Sequence, residues 1–205
     1  RTISMKMKLS RNERAGITRN RLYRSAMQAI AEHGFEKATV ARITAHAEVS
    51  IGTFYNYFES REELLRQVVL SQGRDLRRSI SGIILDSDDF FHREEKSFRQ
   101  YFEFLKENPH YIRLLNEAEI FLPDAYEALV SNILDGYRKA LKAASARCEI
   151  RQLEELEIDG VALMLMGTRH YYGEHFPKSH MWEDKLLDNI VEVYIKFIQR
   201  GLRPA

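Results

Sequence analysis

TVARITAHAEVSIGTFYNYFESREELL, residues 39–65, is the stretch that decides the fold. Thr39 and Ser50 carry side-chain oxygens of the kind that cap helix N-termini, so a short helix is expected after each. Ile43, Val49, Phe54 and Phe58 supply the apolar side chains with which such a pair packs on its neighbours. Ser60-x-x-Glu63 is a capping box directly ahead of Leu64 and Leu65, which predicts a further helix. Two short helices joined by a tight turn form a helix-turn-helix unit, whose second helix enters the major groove of DNA. Here that helix is expected over residues 51–58, and its outer face carries Gly52, Thr53, Tyr55, Asn56 and Tyr57, all small or hydrogen-bonding.

Residues 43–64, ITAHAEVSIGTFYNYFESREEL, resemble the DNA-binding signature of TetR-family transcriptional regulators. The likeness rests on Thr39, Ile43, Ala47, Val49-Ser50, Gly52-Thr53, Tyr55, Phe58 and Arg61-x-x-Leu64, and extends upstream to about residue 12. Two positions depart from the pattern. Thr44 stands where a small residue is usual, and Glu48 stands where a turn glycine would take a left-handed conformation without steric cost. The resemblance implies DNA contact through Thr39, Arg42, Ser50, Gly52, Thr53, Tyr55, Tyr57 and Arg61. Thr39 and Ser50 would offer helix N-termini to phosphate, and Tyr55 its hydroxyl. Gly52 would permit close approach to the groove, while Thr53 and Tyr57 face bases or sugars. Arg61, in place of the family's common lysine, would neutralise a phosphate.

Charge distribution agrees. The net charge is +1, yet Arg1, Lys6, Lys8, Arg11, Arg14, Arg19, Arg21 and Arg24 face the single acid Glu13 before residue 25. A basic arm on a near-neutral chain points to a polyanionic partner. Cys148 is the sole cysteine, which excludes an internal disulfide and suits a reducing cytoplasm. No apolar run reaches the roughly 20 residues needed to span a bilayer, so no membrane association is expected. The chain opens on Arg1, and Met5 is a candidate start.

Hydrophobic periodicity predicts an all-α fold of about nine helices: a helix-turn-helix domain over 10–60 and a helical effector-binding and dimerisation domain over 61–205. Ser10-x-x-Glu13 opens the first helix, which ends near His33 with Gly34 as its terminating residue. A long helix follows from Arg61 into the low 80s. Asp86 to Asp89 break the chain and cap the next helix, expected over 90–106. Asn108-Pro109 suggests a cap and first-turn proline for a helix to about 119, and Pro123 begins another to about 147. The last two helices are expected over 153–175 and 182–202. The first carries Gly160 and Gly167 one heptad apart, and the second is apolar over more than one stripe. The family resemblance implies a homodimer through these two helices, with Leu165 and Ile198 as expected interface positions, and a palindromic double-stranded operator.

The resemblance further implies a small-molecule effector in the helical domain. Tyr101, Phe102, Leu105, Phe121 and Tyr126 lie on expected inner faces, as do Met164, Thr168 and Tyr172; an aromatic interior with a few polar groups is the usual form of such a site. Arg169 and His170 are candidate anchors for a carboxylate or phosphate, and Arg169 is equally a candidate partner for an acid on the dimer surface. No phosphate-binding glycine loop, nucleophile elbow, metal-ligand spacing or cofactor motif is visible, which points away from an enzyme and from a bound cofactor or metal. Two functional readings follow: a repressor released by an apolar or amphipathic effector, or a ligand-independent DNA-binding protein that recruits another protein.

Overall fold

The computed structural model describes residues 10–84, 89–175 and 184–204, and among them every regular element is a helix. The first is α1 (Arg11–His33), capped reciprocally by Ser10 and Glu13. Its end needs a glycine twice over. Gly34 has φ 82°, and a β-carbon there would lie 2.9 Å from an Arg113 guanidinium nitrogen. Then come α2 (Val40–His46) and α3 (Ile51–Tyr55), capped by the hydroxyls of Thr39 and Ser50. Ser60 caps α4 (Arg61–Ser81), and Asp89 caps α5 (Phe90–Glu107) through the amide of His92. The rest of the acidic break expected before Asp89 lies outside the described residues.

Three expected boundaries move. The recognition helix stops at Tyr55, because Tyr57 and Phe58 turn back to bond the carbonyl of Phe54 and bury the Phe58 ring. Asn108 closes α5 instead of capping the next helix; its side-chain amide and backbone N–H both bond the carbonyl of Phe104. The following helix, α6 (Tyr111–Phe121), accordingly starts after Pro109. Pro123 does open α7 (Pro123–Ala146), where its missing N–H costs nothing. The chain ends with α8 (Glu155–His175) and α9 (Asp184–Leu202).

One apolar core runs through all of this. Leu22, Ala26, Ala29 and Ile30 of α1 pack with Phe35, Ile43, Phe54, Phe58 and the start of α4, all of them buried. Truncating one such ring to alanine typically costs about 3–5 kcal/mol. Further along, α4 packs against α5 and α7, so one rigid rod joins the helix-turn-helix to the helices behind it. A second tie is polar. Glu117 of α6 accepts the Phe35 amide at 2.5 Å, while Arg113 donates to the Ala31 carbonyl at 2.9 Å and pairs with Glu117. Phe121 stacks flat on Phe35, with ring centroids 6.1 Å apart. The start of α7 is held to α4 by Asp124 and Arg66.

The last two helices correct the expected interface positions. Leu165 is 3% exposed and Ile198 6%, so both belong to the chain's own core. The uncovered side chains are Leu163 at 52%, Met164 at 65% and Phe197 at 76%, together with Leu156, Tyr171 and Val193. On α8 these exposed positions follow helical spacing with Gly160 and Gly167 between them, and a β-carbon at either glycine would meet open space.

Candidate nucleic-acid interface

The turn between α2 and α3 shows how the two departures from the family pattern are absorbed. Thr44 is buried, and its hydroxyl donates to the Val40 carbonyl at 2.8 Å, so its polar group is satisfied within α2. Glu48 adopts φ 52°, the left-handed conformation that a glycine would take. For an L-residue this conformation costs about 1–2 kcal/mol. A glycine would remove that strain but lose more freedom on folding, by about 0.4–1 kcal/mol. Glu48→Gly is therefore expected to raise the unfolding free energy by up to about 1.5 kcal/mol, measured by urea denaturation. A destabilised variant would mean that the carboxylate makes a compensating contact.

On α3, Ser50 Oγ accepts the Thr53 amide at 3.0 Å and lies 2.9 Å from the Thr53 hydroxyl. Phe54 is buried beneath, and Tyr55, exposed, meets it edge-on at 5.2 Å. Tyr57 is half-buried and packs on the core. Thr39, Arg42, Gly52 and Asn56 are exposed. The first turns of α1 flank this surface: Arg14 and Ala15 face Thr53, Asn56 and Tyr57 across an open cleft of about 840 Å³. Arg61 is placed differently from expectation. Its Nε donates to the Ala38 carbonyl at 3.0 Å, a second nitrogen donates to the Phe35 carbonyl, and the third pairs with Glu62. These carbonyls belong to the turn between α1 and α2, where the Phe35 carbonyl also accepts the Ala38 amide at 3.3 Å, so the guanidinium braces the turn from behind instead of facing outward.

The interior behind α4 gathers some of the expected ligand residues and disperses others. Tyr101, Phe102 and Leu105 of α5 are buried, with Phe98 edge-on to both Phe102 and Tyr172. Gly173 lets α8 close on them; a β-carbon there would lie 2.9 Å from Leu105 Cδ1 and from the Tyr101 hydroxyl. Tyr126 is half-buried. Thr168 bonds the Met164 carbonyl at 2.7 Å, and His170 is half-buried on the same helix. Phe121 sits at the α1–α6 junction and Met164 on the outer face of α8, so neither joins this group.

Arg169 is buried and already neutralised. It donates to Glu94 at 2.8 Å, Glu94 also accepts the Tyr194 hydroxyl at 2.5 Å, and the guanidinium lies over the Phe98 and Tyr137 rings. Burial and the neighbouring Glu94 push the Tyr194 hydroxyl well above its ordinary pKa, so it stays a donor. A carboxylate ligand would add a second negative charge beside Glu94; of the two expected roles for Arg169 the structure favours pairing with an acid, and that acid is Glu94 of the chain's own core. Sequence reasoning missed Glu94 because it sits in the charged run HREEK. Its position one turn before Phe98, on the apolar stripe of α5, was the available signal.

A helix-turn-helix carried on an all-helical body defines a class, the DNA-binding regulators. Residues 22–68 match the family model described as "Bacterial regulatory proteins, tetR family". Over 69 residues the chain is 41% identical to the HTH-type transcriptional repressor DhaR of Mycobacterium sp. (strain GP1), covering 34% of this chain and 35% of that protein. The match thus spans about a third of the curated relative. The fatty acid degradation regulator FadR from Bacillus halodurans shares the fold with TM-score 0.74 at 20% identity, over 87% of this chain and 93% of that one. FadR from Bacillus subtilis, solved in complex with stearoyl-CoA, gives 0.72 at 18% identity, over 86% and 97%. Residues 22–68 thus form a DNA-binding domain of the TetR-family kind, carried on a chain whose fold is that of solved TetR-type regulators.

Proposed function

We propose that the protein is a homodimeric repressor that binds a palindromic operator through α2 and α3 and is released by a small apolar or amphipathic effector. The observation that carries this reading is the outer face of α3, capped by Ser50 and flanked by α1, which no part of the described chain covers. Thr39, Arg42, Ser50, Gly52, Thr53, Tyr55 and Tyr57 make the DNA contacts in this reading, over a domain of residues 10–60. Arg61 holds the unit in shape. The second copy docks on the uncovered stripe of α8 and α9, where Gly160 and Gly167 let a partner helix approach.

The effector binds within 61–205, among the aromatic side chains of α5 and α8. Its signal reaches the DNA face through α4 and through the Glu117–Phe35 tie between α6 and α1. The stearoyl-CoA bound by the similar Bacillus subtilis protein supports an amphipathic ligand, and makes that compound the first probe. The test is its affinity measured by calorimetry with and without saturating DNA. Coupling of about 1–3 kcal/mol is expected, reciprocal for the two ligands. Equal affinities would exclude release by this ligand. The close approach of α8 to Tyr101 and Leu105 at Gly173 favours the second reading, a ligand-independent DNA-binding protein that recruits a partner. Absence of any coupled ligand would support it.

A further inference from the structure

We infer that Asn56 is the residue that reads base sequence, by pairing with an adenine in the major groove of each half-site. This rests on the DNA-binding reading above. The recognition helix holds five residues, so it rises only about 7.5 Å, little more than two base-pair steps. One or two side chains must therefore carry most of the discrimination. Gly52 has no side chain, and the Thr53 hydroxyl is engaged with Ser50 at 2.9 Å. Ile51, half-exposed, has no polar group, and Tyr55 offers a single hydroxyl at the end of a long ring.

Asn56 closes α3 and is exposed. Its backbone N–H bonds the Thr53 carbonyl, while its side-chain amide has no partner among the described residues. It lies one helical turn after Gly52, hence on the same face, and on the wall of the open cleft opposite Arg14. An asparagine amide offers a donor and an acceptor side by side, matching N6 and N7 of adenine in the major groove. The missing side chain of Gly52 lets the helix settle deep enough for that short amide to reach. Arg14, across the cleft from it, is placed for the phosphate backbone, which orients the helix and carries no sequence information itself.

The test is selection from random double-stranded DNA with the full chain, and then with Asn56→Ala and Arg14→Ala. Thermal melts confirm that both variants fold. The wild type is expected to enrich one adenine position per half-site. Asn56→Ala should lose about 5- to 150-fold of preference there and keep its other preferences. Arg14→Ala should weaken all sequences alike and leave the preference unchanged. In the selected site, 7-deazaadenine at that position removes the N7 acceptor. It should weaken the wild type and leave Asn56→Ala unaffected. Identical preferences for wild type and Asn56→Ala, or no effect of 7-deazaadenine on the wild type, would overturn the assignment to Asn56 while leaving DNA binding intact. Failure of the wild type to enrich any sequence would overturn both.

Discussion

Gly52→Ala is expected to fold at least as stably as the wild type and to bind its selected DNA site about tenfold or more weakly, a loss of about 1.4 kcal/mol. Among the described residues nothing requires this glycine. A β-carbon at position 52 would meet only Ser50 Oγ, at an ordinary 3.7 Å, and its backbone is not left-handed. In a helix interior, alanine is favoured over glycine by about 0.8–1.0 kcal/mol. In the proposed reading the glycine answers to DNA, and a methyl group there would stand between α3 and the groove. Thermal melting and fluorescence anisotropy on one labelled duplex measure both halves of the expectation. Undiminished affinity would show that this face of α3 does not approach DNA closely.

Leu163→Asp is expected to yield folded monomers, whereas Leu165→Asp is expected to unfold. The two positions are neighbours on α8 but face opposite surroundings. Leu163 is half-exposed between Gly160 and Gly167; Leu165 is in the core, where an unpaired carboxylate costs several kcal/mol. Monomers lose the linkage between two half-sites, so DNA affinity should fall about 100-fold or more. Analytical ultracentrifugation separates the outcomes. A Leu163→Asp protein that remains dimeric would move the interface away from α8.

The helix starts were legible because their signals are local. Ser10, Thr39, Ser50, Ser60 and Asp89 each cap the helix that follows, by the side-chain bond their chemistry suggests. Gly34 ends α1 for the same kind of reason. What local signals cannot settle is which of two apolar faces a helix turns inward. Along α8, Leu163, Met164 and Leu165 are all apolar, and only the packing of α5, α6 and α7 decides that Leu165 is inside. Arg61 was misplaced for a related reason: a guanidinium beside a recognition motif looks free until the carbonyls of Phe35 and Ala38 fold onto it. The Glu94–Arg169–Tyr194 cluster joins residues far apart in sequence, so no local signal around Glu94 points to its partners.

Two copies of this chain are expected to present paired α3 helices to a palindrome. Selection of DNA from a random pool, followed by light scattering of the purified complex on the enriched duplex, tests it most directly. Dimeric helix-turn-helix proteins place their half-sites about one helical turn apart or multiples of it, roughly 34–36 Å per turn. An inverted repeat with that spacing is expected, with two chains, or a multiple of two, on each duplex. A single unrepeated motif bound by one chain, or a pool with no enriched sequence, would contradict it.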